Sequence, residues 1–168
     1  MYVGLNADSG GQWNSVDAAA LAGFPGDSWW DRSAYAGSLA LDRALADPGR
    51  TLELMPTKFV TMWGDESYAP DYAFARIQQP RVIEVGRGLA QAFWVVLCLL
   101  AAIGVLVERH RPRPATLVIG TTIASIALIH LVLEVHGRYH SYLLPLFCLL
   151  AAAGGEWLIR RRAEPASA

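Results

Sequence analysis

Residues 88–107, GLAQAFWVVLCLLAAIGVLV, contain no charged side chain. At a rise of about 1.5 Å per residue such a stretch covers about 30 Å, the thickness of a bilayer's hydrocarbon core. Two further runs follow. Residues 115–133, ATLVIGTTIASIALIHLVL, are uncharged when His130 is neutral, and residues 141–159, SYLLPLFCLLAAAGGEWLI, carry one charge, Glu156, near their end. Inside lipid these runs must be helical, because every backbone N–H and C=O needs a partner within the segment. Helices buried in a soluble bundle would show polar faces, and these do not. The expectation is an all-α membrane protein with spans at 88–107, 115–133 and 141–159, a tail at 160–168, and a helix-rich segment at 1–87 in front.

Charge divides the chain the same way. Residues 1–87 hold 11 acidic and 7 basic side chains, whereas residues 88–168 hold 4 acidic and 7 basic ones. Six arginines (Arg109, Arg111, Arg113 and Arg160 to Arg162) fall on the side of the first connection and the tail, against four (Arg76, Arg81, Arg87 and Arg138) opposite. The excess of positive charge in cytoplasmic loops then puts the tail in the cytoplasm and residues 1–87 outside, in a multi-pass protein of the cell membrane. The arginines set topology in this reading, and no nucleic-acid partner is expected. Met1-Tyr-Val-Gly-Leu-Asn6 lacks the basic and apolar regions of a signal peptide. Cys98 and Cys148 lie inside apolar runs and read as small core residues. Small residues at Gly120, Ala124 and Ser125, and from Ala151 to Gly155, suit close helix contacts. Pro145 is expected to kink the third span early.

The outer segment reads as turns and helices. Tyr2 to Leu5 reads as extended, Asn6 to Gly11 as a turn, and Phe24-Pro25-Gly26-Asp27 as another. Trp29 and Trp30 read as interfacial anchors. Ser33 is expected to cap a helix to about Ala46 with Tyr35, Leu39 and Leu45 on its apolar side. Asp47-Pro48 starts the next helix as cap and first residue, and Pro56 is expected to break or restart it. Leu52, Met55, Phe59 and Met62 form its apolar stripe, lying on other helices or on the membrane surface. Residues 64–70 read as loop.

Between the second and third spans stands Glu134-Val-His-Gly-Arg-Tyr-His140, with four ionisable side chains. Charge at membrane depth is costly and so tends to mark function. Arg138 can hold a phosphate bidentately, Gly137 allows a tight turn before it, and Tyr139 and His140 can donate to phosphate or sugar oxygens. Glu134 can orient Arg138 or the histidines, and His130, one turn earlier, can share its proton. The alternative is an interfacial loop of snorkelling charges and belt aromatics. His136 and His140 need not share a face, and no zinc spacing, phosphate loop or nucleophile elbow is present, so neither metal nor cofactor is expected. In Gln12-Trp13-Asn14 the indole is either a sugar-stacking platform or an anchor for its loop.

Taken in order, Tyr2-Val-Gly-Leu-Asn6, Ser9-Gly-Gly-Gln-Trp-Asn14, Lys58-Phe59 and Trp63 resemble the last extracytoplasmic region of bacterial glycosyltransferases of family 39, the relatives of protein O-mannosyltransferases and aminoarabinose transferases. Glu134 to His140 followed by Tyr142-Leu-Leu-Pro145 is similar to the end of that family's membrane domain, where an E-x-x-G-R-Y motif opens the last helices. The resemblance implies a GT-C-like fold and the C-terminal part of an enzyme that moves a sugar from a polyprenyl-phosphate carrier to an extracytoplasmic acceptor. It implies that Glu134, His136, Arg138, Tyr139 and His140 meet the donor phosphate, with Asn6, Gln12, Trp13 and Asn14 near the sugar or acceptor. The family's catalytic acidic loop has no counterpart here, so Asp8 and Asp17 are not assigned as base. Activity is expected to need the missing N-terminal membrane part or a multi-span partner. The other functional class is a non-enzymatic small membrane interaction protein.

Overall fold

A computed structural model describes residues 1–24, 26, 28–74, 76, 79–109 and 113–163. The turn read at Phe24 to Asp27, the connection from Glu108 to Pro114 and the end of the tail fall wholly or partly outside the described residues. Among the described residues the structure is all-helical: α1 Ser15–Ala22, α2 Trp29–Ala46, α3 Pro48–Trp63, α4 Tyr68–Phe74, α5 Pro80–Glu108, α6 Pro114–Val132 and α7 Leu144–Ala163. Short 3-10 turns lie at Val3–Leu5, Ala7–Ser9 and Gly137–Leu143. Three helical stretches, Pro80–Glu108, Pro114–Val132 and Gly137–Ala163, are long and apolar enough to cross a membrane.

Contacts divide the chain into two compact units, one of Met1–Gly64 with Ile126–Tyr139 and one of Asp65–Ser125 with His140–Ala168. In the second, α5 packs on α7. Trp94, Leu97, Ala101 and Gly104 are buried on α5, and Leu150, Ala151 and Gly154 on α7. The helices cross at their glycines: a Cβ on Gly104 would overlap the Leu150 carbonyl, and one on Gly154 the Leu100 carbonyl. Such backbone approach replaces the hydrophobic drive that lipid cannot supply. Helix α6 buries no residue. Its Thr121 and Thr122 hydroxyls donate back to carbonyls three and four residues earlier, which satisfies them without a neighbouring helix.

In the first unit, α1 is capped by Asn14, α2 by Ser28 and α3 by Asp47, with Pro48 in the first turn. Several local expectations are corrected. Tyr2 to Leu5 is not extended but folds into a 3-10 turn. Helix α2 starts at Trp29, not at Ser33, and Leu45 is exposed while Ala40 is buried. Pro56 neither ends nor restarts α3. The proline and Leu52, whose carbonyl loses its i+4 donor there, are both exposed. The buried stripe of α3 is Leu54, Lys58 and Met62, and Leu52 and Phe59 face outward. The segment 64–70 is loop only to Ser67, because α4 begins at Tyr68. Pro145 lies in the first turn of α7, where a proline needs no N–H partner, so it marks a helix start and not a kink.

Candidate functional site

The loop after α6 is closed by its own side chains. His130 Nδ1 lies 2.9 Å from the Glu134 carbonyl, which ties the last turn of α6 to the loop that follows it. The His130 ring stacks on Tyr139, centroids 4.8 Å apart and planes 26° from parallel. The Tyr139 hydroxyl donates to Glu134 Oε1 at 3.2 Å, and its N–H donates to the His136 carbonyl at 3.0 Å. The Arg138 N–H donates to His136 Nδ1 at 3.3 Å, so that nitrogen carries the lone pair and a neutral ring keeps its proton on Nε2. Burial, and then the Arg138 charge, hold the His136 imidazole below its ordinary pKa and favour that neutral form. The guanidinium of Arg138 lies over the Tyr139 ring, 5.6 Å from its centroid, while the residue stays exposed. Glu134, His136, Arg138 and Tyr139 thus form one cluster in the first unit.

The cluster is mounted on the N-terminal segment and α3. Val135, fully buried, donates its N–H to the Gly11 carbonyl at 3.0 Å. Gly11 takes φ +76°, a conformation that a side chain would strain, and a Cβ there would also press the Lys58 stem at 3.0 Å. Lys58 is 1% exposed, and its Nζ donates to the carbonyls of Gly4 at 2.9 Å, Leu131 at 2.6 Å and Leu133 at 2.6 Å. Burial lowers this ammonium to about 8, which leaves it mostly protonated at neutral pH. Three acceptors at these distances match the three N–H bonds of the charged form. Lys58 therefore closes the C-terminal end of α6 as a cap delivered from another helix, with its charge at the negative end of that helix.

His140 has described partners of its own. It lies in the second unit, buried, with Nε2 paired to the Glu66 carboxylate and its ring stacked on Trp94, centroids 4.6 Å apart. The Glu66 N–H donates to Gln91 Oε1 at 3.0 Å, which anchors the loop before α4 to α5.

The turn residues divide as well. Asn6 and Asn14 donate from Nδ2 to Asp17 Oδ2 at 2.8 and 2.9 Å. Their side-chain oxygens accept from the N–H groups of Asp8 and Asp17. Arg43 grips both Asp17 oxygens, at 2.9 and 3.2 Å, donates to the Tyr2 carbonyl at 2.8 Å and stacks over the Tyr2 ring. Asp17 is 2% exposed, and its donors (Arg43 first, then Asn14 and Asn6) outweigh the opposing effect of burial and hold its carboxyl down to about 2. A cavity of about 650 Å³ opens beside this network, with Asn6, Asp8, Arg43 and Arg50 among its walls. Asp8 and Arg50 pair there. Gln12 and Trp13 are exposed.

Four groups with defined roles in this geometry escaped the sequence-based site: Asp17, Arg43, Lys58 and Glu66. Lys58 alone left a usable signal. A lysine flanked four residues either way by Leu54 and Met62 occupies a core position and needs buried acceptors.

Comparison with family models, with curated proteins and with solved structures found no match to this chain.

Proposed function

We propose that this chain is the C-terminal part of a membrane glycosyltransferase that takes a sugar from a polyprenyl-phosphate donor and passes it to an extracytoplasmic acceptor. The observation that carries the reading is the exposed guanidinium of Arg138, backed by Tyr139, beside a neutral-leaning His136 on the loop that follows a candidate span. A lipid-linked phosphate resides at that depth, and a guanidinium offers it paired N–H donors. As the sugar leaves, negative charge grows on the phosphate oxygen, and Arg138 stabilises it. Glu134 holds Tyr139, and Tyr139 holds the arginine's orientation. His140 is held by Glu66. The catalytic carboxylate comes from another membrane polypeptide or segment. Residues 1–87 are extracytoplasmic and the tail is cytoplasmic in this reading.

The test is retention of a polyprenyl phosphate by the chain in nanodiscs, with the parent polyprenol as control. Selective retention of the phosphate, weakened about tenfold or more by Arg138→Ala, is the expected result, the loss of one charge-assisted contact pair. Equal retention of phosphate and alcohol, or an unaffected variant, would remove the reading in favour of a non-enzymatic membrane protein.

A further inference from the structure

Helix α3 has three faces. At about 100° per residue, Leu54, Lys58 and Met62 lie within about 40° of one direction. All three are buried. Measured from Lys58, the positions of Met55, Phe59, Leu52, Trp63 and Val60 run from about 60° to 200°. This second sector is apolar, yet Leu52, Phe59 and Val60 are 62%, 54% and 64% exposed. Glu53, Thr57 and Arg50 fall beyond it, between about 220° and 280°, and are exposed and polar. The outward surface of one helix is thus split lengthwise into an apolar and a polar half, the pattern of a helix that lies in a water–lipid boundary.

A second observation sets its depth. The Lys58 ammonium holds the Leu131 and Leu133 carbonyls at 2.6 Å, where α6 ends at Val132. Helix α3 therefore runs within one lysine side chain of the point where an apolar span stops. That span, long and apolar enough to cross a membrane, buries none of its residues against the rest of this chain. Phe59 and Trp63, with ring centroids 6.2 Å apart, put aromatic surface at the same level, the depth at which belt aromatics reside.

We infer that α3 is an interfacial helix, with Leu52, Phe59 and their neighbours seated in the lipid leaflet at which α6 ends and the Glu53–Thr57 face in water. The occupant of the apolar sector is the bilayer itself. Membrane docking of this unit then rests on α3 as well as on the span, and Lys58 couples the two.

Nitroxide labels test this in the full chain, reconstituted in vesicles of phosphatidylcholine and phosphatidylglycerol after Cys98 and Cys148 are replaced by serine. The single-cysteine variants are Leu52→Cys and Phe59→Cys in the apolar sector, and Glu53→Cys and Thr57→Cys in the polar one. All four sites are exposed, so labels there leave the core intact. Oxygen concentrates in lipid, and a neutral nickel chelate stays in water. The expected result is an oxygen-to-nickel collision ratio several-fold higher at positions 52 and 59 than at 53 and 57. Equal ratios in both sectors would place the whole outward surface in water and overturn the inference. Labels at 52 and 59 shielded from both reagents would overturn it too, by showing a protein cover in place of lipid.

Discussion

The loop from Glu134 to Tyr139 and the turn from Asn6 to Asn14 belong to the same compact unit, and both are rich in amides, ionisable groups and glycine. They use their polar atoms in opposite ways. In the turn, the Asn6 and Asn14 amides and the Arg43 guanidinium all donate to Asp17, so two of the groups that read as sugar contacts also hold the fold. In the loop, the main chain is secured from below by Lys58 and by Val135, and the Arg138 side chain stays on the surface. A ligand site needs fixed backbone with polar groups presented outward, and here the loop meets that condition better than the turn.

The contrast is broken most severely by Lys58→Met. The variant leaves the buried Gly4 carbonyl and the partly buried carbonyls of Leu131 and Leu133 without their donor, and a loss of about 3 kcal/mol is expected from the desolvation cost of orphaned acceptors. Thermal unfolding of the detergent-solubilised chain measures it, and a Tm close to wild type would show that water replaces the ammonium. Asp17→Ala should cost about 3 kcal/mol by stranding Arg43 and both amides, measured the same way. It leaves the loop's own bonds untouched, so retention of polyprenyl phosphate by the folded fraction should hold.

Acid sharpens the comparison further. The Asp17 carboxyl stands near 2 in the fold, below its ordinary value of 3.8. A depressed carboxylate adds stability that is complete above the unfolded pKa and disappears as pH falls through the folded one. About 2 kcal/mol should therefore be lost between pH 5 and roughly pH 2. A pH series of unfolding midpoints checks this, and Asp17→Asn should flatten the series. Arg138→Ala should change stability by less than about 0.5 kcal/mol, as an exposed substitution outside the packed core. Its effect belongs in phosphate retention instead. The smallest expected change is Trp13→Ala, with stability within about 0.5 kcal/mol of wild type. A larger loss would show that the indole anchors its turn.

The sequence made the membrane architecture legible because length and apolarity alone meet the bilayer's demands. Three uncharged or nearly uncharged runs required three helices, and caps such as Asp47-Pro48 placed a helix start to the residue. Faces were harder to read. Periodicity marked α3 as amphipathic and put Leu52 and Phe59 on a stripe meeting other helices or the membrane surface, but it could not separate an apolar face meeting protein from one left outward. The loop Glu134–His140 was legible as a polar island. Its division between two units was not, because the partners that take His140 are Glu66 and Trp94, far away in sequence.

What the sequence determined by itself is what depends on neighbours along the chain: the three apolar helices long enough to cross a membrane, the Asp47-Pro48 helix start and the polar break before the last of those helices. The tertiary structure decided which polar groups are consumed by the fold. Asn6, Asn14 and Arg43 converge on Asp17, and Lys58 reaches Gly4, Leu131 and Leu133. The reason is that a buried charge must find its acceptors wherever in the chain they lie, and no local pattern records where that will be.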